Sequence, residues 1–181
     1  MRCVRRFAVL WLALLSMACQ DPAIDLTEPA SFSGHHVTFS HPRVWSVETR
    51  DVGDGWSVIF VEGGGSELHT VVVMPEDEFD GITAFAEGHA AEMSAQIPVG
   101  EVSESTWGDV ESADVDGPPG GQSLGEQFSI TLMGQEVPHV RIYFSAPGTG
   151  RVAMLISQAS TDEIERVLPG FDLIVSTFTI E

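Results

Sequence analysis

The chain has 181 residues, 27 of them acidic and eight basic, and every basic residue is arginine. Without lysine there is no Schiff-base chemistry, no pyridoxal-phosphate attachment and no phosphate-binding loop ending in Gly-Lys-Ser/Thr. So acidic a surface also excludes nucleic acid as a partner, because phosphate backbones need clustered Lys and Arg, and it is repelled by anionic lipid headgroups.

At the start of the chain Arg2, Arg5 and Arg6 precede an apolar run from Phe7 to Leu15 that ends in Ser16-Met17-Ala18-Cys19. This is the pattern of an export signal, too short for a durable transmembrane helix of about 20 apolar residues. Small residues followed by cysteine resemble the lipobox of bacterial lipoproteins, although Leu15 stands four residues before the cysteine rather than three. The resemblance implies that residues 1–18 are removed and that Cys19 carries the lipid; ordinary secretory cleavage after Ala18 is the alternative. Acyl chains contribute about 0.8 kcal/mol per buried methylene, so such an anchor holds a soluble domain at a membrane. Gln20 after Cys19 points, by the sorting pattern of enteric bacteria, to the outer membrane facing the periplasm. Losing residues 1–18 leaves 163 residues with five arginines against 27 acids, a balance of −22. That is one domain's worth of chain, enough to bury about 68–70% of its unfolded surface. Cys3 goes with the signal and Cys19 is acylated, so packing holds the domain without a disulfide.

Residues 19–34 are polar and proline-bearing and read as a tether, with the folded domain over 35–181. Strands are expected over His36–Phe39 and Trp45–Thr49, separated by Pro42, and over Trp56–Val61 and Leu68–Met74. Gly53-Asp54-Gly55 and Gly63-Gly64-Gly65 supply the turns between them. From Asp80 to Ile97 the period becomes helical, with Ile82, Phe85, Ala86, His89, Met93 and Ile97 on one stripe, Asp80 as cap and Pro98 as stop. Weaker β segments follow at Val102–Trp107 and Val110–Val115, then a Gly-Pro loop over 117–121. Strands are expected again over Gln127–Met133, Val140–Phe144 and Arg151–Ser157, with a last turn over Pro147–Gly150. A final helix is capped by Thr161, carries Ile164, Val167, Phe171, Ile174 and Phe178 on one stripe, and is kinked or divided by Pro169. The order of elements predicts an α+β domain, an antiparallel sheet covered by helices.

Val37-Thr38-Phe39 followed by Pro42 and Trp45, together with Leu168-Pro169-Gly170-Phe171, Ile174 and Ser176-Thr177-Phe178, resembles the two ends of the PsbP-like superfamily, which includes DcrB-type bacterial envelope lipoproteins. His41 stands where an aromatic is usual, and Thr177 interrupts the terminal Ser-Phe pair. The resemblance implies an α/β/α sandwich that binds other proteins and carries no catalytic residues.

Gly121-Gln122-Ser123-Leu124-Gly125 is a literal Gly-x-Ser-x-Gly, but a strand pattern follows it instead of the helix that a hydrolase nucleophile needs. The only downstream histidine, His139, precedes Asp162 rather than following an acid, so a hairpin loop is the better reading. His35, His36 and His41 form a local cluster with metal-ligand chemistry, though neighbours in a strand point to opposite faces. Asp114-Val115-Asp116-Gly117 begins like a calcium loop and then breaks off into proline and glycine. His89 reads as a core or boundary histidine, and Trp45, Trp56 and Trp107 as packing residues. No cofactor and no metal ligand is assigned. The expected function is a non-catalytic bacterial envelope lipoprotein whose domain binds another envelope protein or complex; the alternative is a metal- or small-ligand-binding module.

Overall fold

The computed structural model describes residues 24–65, 67–96, 100–108 and 117–181. Two antiparallel sheets carry the architecture. The small one joins β1 (Ala30–Gly34), β2 (Val37–His41) and the terminal β11 (Thr179–Ile180). In the large one, β3 (Ser46–Gly53), β4 (Trp56–Glu62), β5 (Leu68–Pro75), β10 (Arg151–Ser160), β9 (Gln135–Pro147) and β8 (Ser123–Leu132) lie side by side in that order. The short β6 (Glu101–Val102) and β7 (Thr106–Gly108) both pair with β8. Two helices complete the fold, α1 (Ile82–Gln96) and α2 (Ile164–Thr177).

The central strands are apolar on both faces, as strands covered on both sides must be. On β5, Val71 and Val73 enter one core with Ala153 and Leu155 of β10, while Val72 and Met74 enter a second with Val152, Met154 and Ile156. The first core is closed by α2, whose Ile164, Val167, Phe171, Ile174 and Val175 recur at helical spacing, and by Phe39 and Phe178 beside the small sheet. The second is closed by α1 through Ile82 and Ala86. The expected antiparallel sheet between helices is the fold observed.

Four local expectations need correction. Ala30–Gly34, placed in the tether, is a strand paired with β2, and Phe32 stacks on Phe39 at 5.0 Å. The two-residue turn that joins these strands is His35-His36 with φ of 50° and 65°, a conformation that hairpins normally fill with Asn-Gly or similar, so the usual signature is missing. Helix α1 starts at Ile82, with the Gly81 carbonyl accepting from Phe85 N–H, so Gly81 rather than Asp80 occupies the cap position. Helix α2 starts at Ile164 with Glu163 before it and no side-chain cap bond, because the Thr161 amide is turned to the Pro138 carbonyl. That helix runs through Pro169 as one element.

The residues that carried the family resemblance are packed on one another. Trp45 lies edge-on to Phe171 at 5.7 Å. Gly170 fits against it because a Cβ there would stand 2.6 Å from Trp45 Cη2 and 3.1 Å from Pro42 Cγ. The two motifs, distant in sequence, form one joint between β2, the turn after it and α2.

Candidate binding groove

Helix α1 packs over β8 and β9, and the same face of β3, β4 and β5 is left open beside it. The result is a groove of about 860 Å³. Its floor is Val58 and Phe60 of β4 with Leu68 and Val72 of β5; its wall is the Phe85, His89 and Met93 stripe of α1. The strand period places them there: Val58 and Phe60 face the groove while Ile59 and Val61 face the α2 core. At the β4 end the Trp56 indole N–H donates to Glu78 Oε2 at 2.7 Å, and at the opposite end stand Gln96 and Gln158.

Under the groove's inner wall lies a buried polar network. Arg141 Nη1 donates to Glu126 Oε2 at 2.6 Å, and the Tyr143 hydroxyl donates to the same oxygen at 2.9 Å. Glu126 Oε1 accepts from Ser105 Oγ at 2.6 Å, and Arg141 Nε donates to Gln158 Oε1 at 2.8 Å. The guanidinium also lies 4.5 Å from the centre of the Phe128 ring. With the Tyr143 proton committed to Glu126, the 3.2 Å contact between His89 Nδ1 and Tyr143 Oη is filled by an Nδ1–H, leaving His89 Nε2 as an acceptor. Burial first, then the charge of Arg141, lowers the His89 pKa to about 4, so the imidazole is neutral at physiological pH. Burial likewise raises the Tyr143 hydroxyl well above its ordinary range. The network joins α1 to the sheet with every charge paired.

The sequence-predicted candidates fall elsewhere. Cys19 with the export signal, and Asp114 and Asp116 of the acidic loop, lie outside the described residues. Ser123 pairs with Phe144, whereas His139 pairs with Phe128, five positions along β8, which is about 17 Å at the strand rise. They are not brought together. His139 instead stacks on Phe128 and bonds the Val137 carbonyl. His35 bonds Ser57 Oγ at the β1–β2 turn; His41, at the far end of β2, is buried with Nδ1 on the Pro42 carbonyl. Among the described residues no group of three or more His, Cys, Asp or Glu side chains is arranged to hold a metal. His89 is indeed a boundary histidine. Trp45 is core, while Trp56 and Trp107 are half-buried against the α1 side.

Two polar features escaped sequence reasoning. His69, fully buried on the α2 side, bonds Ser157 Oγ through Nδ1 at 2.8 Å, and its Nε2 has no partner among the described residues. Glu126 and Arg141 could have been found as polar residues interrupting the apolar alternation of their strands, Glu126 between Leu124 and Phe128 and Arg141 beside Tyr143.

No family model matches the chain, and no curated protein matches it. Among solved structures, the cyanobacterial PsbP protein CyanoP of Synechocystis sp. PCC 6803 superposes with a TM-score of 0.52 at 12% identity, over 88% of this chain and 96% of that one. The fold is PsbP-like. LpqN, involved in cell envelope biogenesis of Mycobacterium tuberculosis, aligns with a TM-score of 0.42 at 14% identity, over 90% of this chain and 87% of that one. Within the PsbP-like frame the α2 face is sealed, and the open apolar surface is on the α1 side.

Proposed function

We propose that this chain is a non-catalytic binding domain held at the bacterial cell envelope by a lipid on Cys19, as in DcrB-type lipoproteins, and that the groove beside α1 is its recognition surface. One observation carries this reading. Strand β4 runs Trp56-Ser57-Val58-Ile59-Phe60-Val61, apolar on both faces, yet only Ile59 and Val61 are fully buried, while Val58 and Phe60 on the other face are only half-buried and line the groove. A strand with one face in water ordinarily alternates with polar residues there. Apolar residues kept at Val58, Phe60 and Leu68, in a concavity within the 300–1,000 Å³ range of small-molecule sites, suit an occupant that leaves and returns. Sequence alone put a protein partner first; the groove favours the alternative, a small ligand. Catalysis has no support in the geometry, since Ser123 and His139 are apart and, of the two close Ser–His pairs among the described residues, Ser157 with His69 is sealed in the core while Ser57 with His35 sits at the β1–β2 hairpin turn, outside the groove lining.

The test is a photocrosslinking amino acid, p-benzoylphenylalanine, placed at Gly88 on the groove wall and, as a control, at exposed Asp172 on α2. Adducts in living cells from position 88 and not from 172 are expected. Equal yields from both positions, or none from 88, would remove the groove as the recognition surface.

A further inference from the structure

We infer that the groove takes a single-chain amphiphile with a carboxylate head, its acyl chain along β4 and β5 and its head at Arg50. This rests on the groove being the recognition surface. The charge pattern points to the head. Arg43, Arg141 and Arg166 each have a carboxylate partner, whereas among the described residues Arg50 and Arg151 have none within ion-pair distance, and of these two only Arg50 lines the groove. Among the described residues Arg50 is thus the one cation on the groove lining, and no carboxylate neutralises it there. Its guanidinium lies 5.4 Å from the centre of the Phe60 ring, at the border between apolar floor and solvent. A guanidinium over a ring keeps its edge donors free, and that fork matches a carboxylate in geometry as well as charge.

The floor sets the tail. From Trp56 to Phe60 the strand provides about 13 Å of length, with Leu68 and Val72 alongside. Exposed Val52 continues the apolar surface at the mouth. Ala84 and Gly88, small residues on the α1 wall, leave width for a chain; a Cβ at Gly88 meets nothing within 4 Å. The remaining groups on the lining are uncharged at neutral pH except Glu92 on the α1 wall, which opposes an anion from the other side. The strongly acidic surface repels an anionic bilayer, so the source is free amphiphile and not a membrane face.

The experiment uses envelope membranes containing the full chain and a diazirine-bearing dodecanoic acid, with diazirine-bearing dodecylamine as the opposite-charge probe. The carboxylate probe is expected to label peptides of β4, β5 and α1. Unlabelled octanoate, decanoate and dodecanoate should compete in rising order, about fourfold per added methylene. Arg50→Gln should cut carboxylate labelling about tenfold while sparing the amine probe, and Glu92→Gln should raise it. Gly88→Trp, which fills the groove without entering the core, should abolish it. Stronger labelling by the amine, indifference to Arg50→Gln, or competition by phosphatidylglycerol vesicles equal to that by dodecanoate would each overturn the inference. If position 88 crosslinks another molecule while neither probe labels the groove, the recognition surface stands and the amphiphile falls.

Discussion

Protonation of His69 is the perturbation whose consequence can be worked furthest. The ring is wholly buried, and burial alone lowers its pKa from 6.5 to about 3. Its Nε2 faces no acceptor among the described residues, so a proton there has no partner among them to offset desolvation. The unfolded chain, with an ordinary histidine, takes up a proton as pH falls through 6.5; the folded chain does not until near 3. Between those limits the unfolded state binds more protons, and stability must fall with pH. Going from pH 7 to about 4.5, these two pKa values imply a loss of about 2.5 kcal/mol from His69 alone. The loss is complete, at about 5 kcal/mol, only below the folded pKa of about 3. His89, lowered to about 4, acts in the same direction. Denaturant unfolding followed by tryptophan fluorescence at both pH values separates the two, because a His69→Gln variant has no proton to take up at that site. The variant should be weaker than the parent at neutral pH, having disturbed the bond to Ser157, yet it should lose less stability on acidification. A variant whose stability falls with pH as steeply as the parent's would refute the assignment of acid sensitivity to this ring.

Gly170→Ala would place a Cβ 2.6 Å from Trp45 Cη2 and 2.8 Å from Cζ2. Overpacking of about 1–3 kcal/mol should exceed the helix propensity gained, of about 1 kcal/mol, so a lower midpoint of thermal unfolding is expected, and a rise would show that Trp45 has room to move. Glu126→Gln leaves Arg141, 3% exposed, without its counter-charge and should cost about 3–5 kcal/mol in denaturant unfolding. Removing the exposed Glu28 from its pair with Arg43 by Glu28→Gln should change the same measurement by less than about 1 kcal/mol.

What could be read from the chain follows the range of the interactions involved. Strand and helix positions were legible because alternation at Trp56–Val61 and the Ile164–Ile174 stripe are local patterns that the sheet and α2 then use. The β1–β2 hairpin was not, since its turn holds two histidines at positive φ and Phe32 finds its partner only across the pair. Both helix caps failed for a related reason: Asp80 and Thr161 have the right chemistry, but the Gly81 backbone and the contact of Thr161 with Pro138 decide where each helix begins. The candidate site was the least legible part. Ser123 and His139 lie apart along the β8–β9 pair and His41 sits at the far end of β2 from His35 and His36, while Glu126, Arg141 and His89, widely spaced in sequence, meet around Tyr143.

The groove was hidden for a reason more basic than distance. A continuous apolar run such as that of β4 identifies a strand meant to be covered on both faces, and periodicity alone does not say whether the second cover comes from the same chain. Here α1 has the length to cover only part of the sheet, and the Glu126–Arg141–Tyr143 network fixes it over β8 and β9 through His89. Sliding α1 towards β4 would break that buried network, at an expense larger than the gain from covering Val58 and Phe60. The polar cluster thus acts as a positioning device: it keeps the helix to one side and the β4–β5 face open. Weakening it should therefore alter groove labelling as well as stability, and a Glu126→Gln protein that lost stability while binding unchanged would separate the two roles.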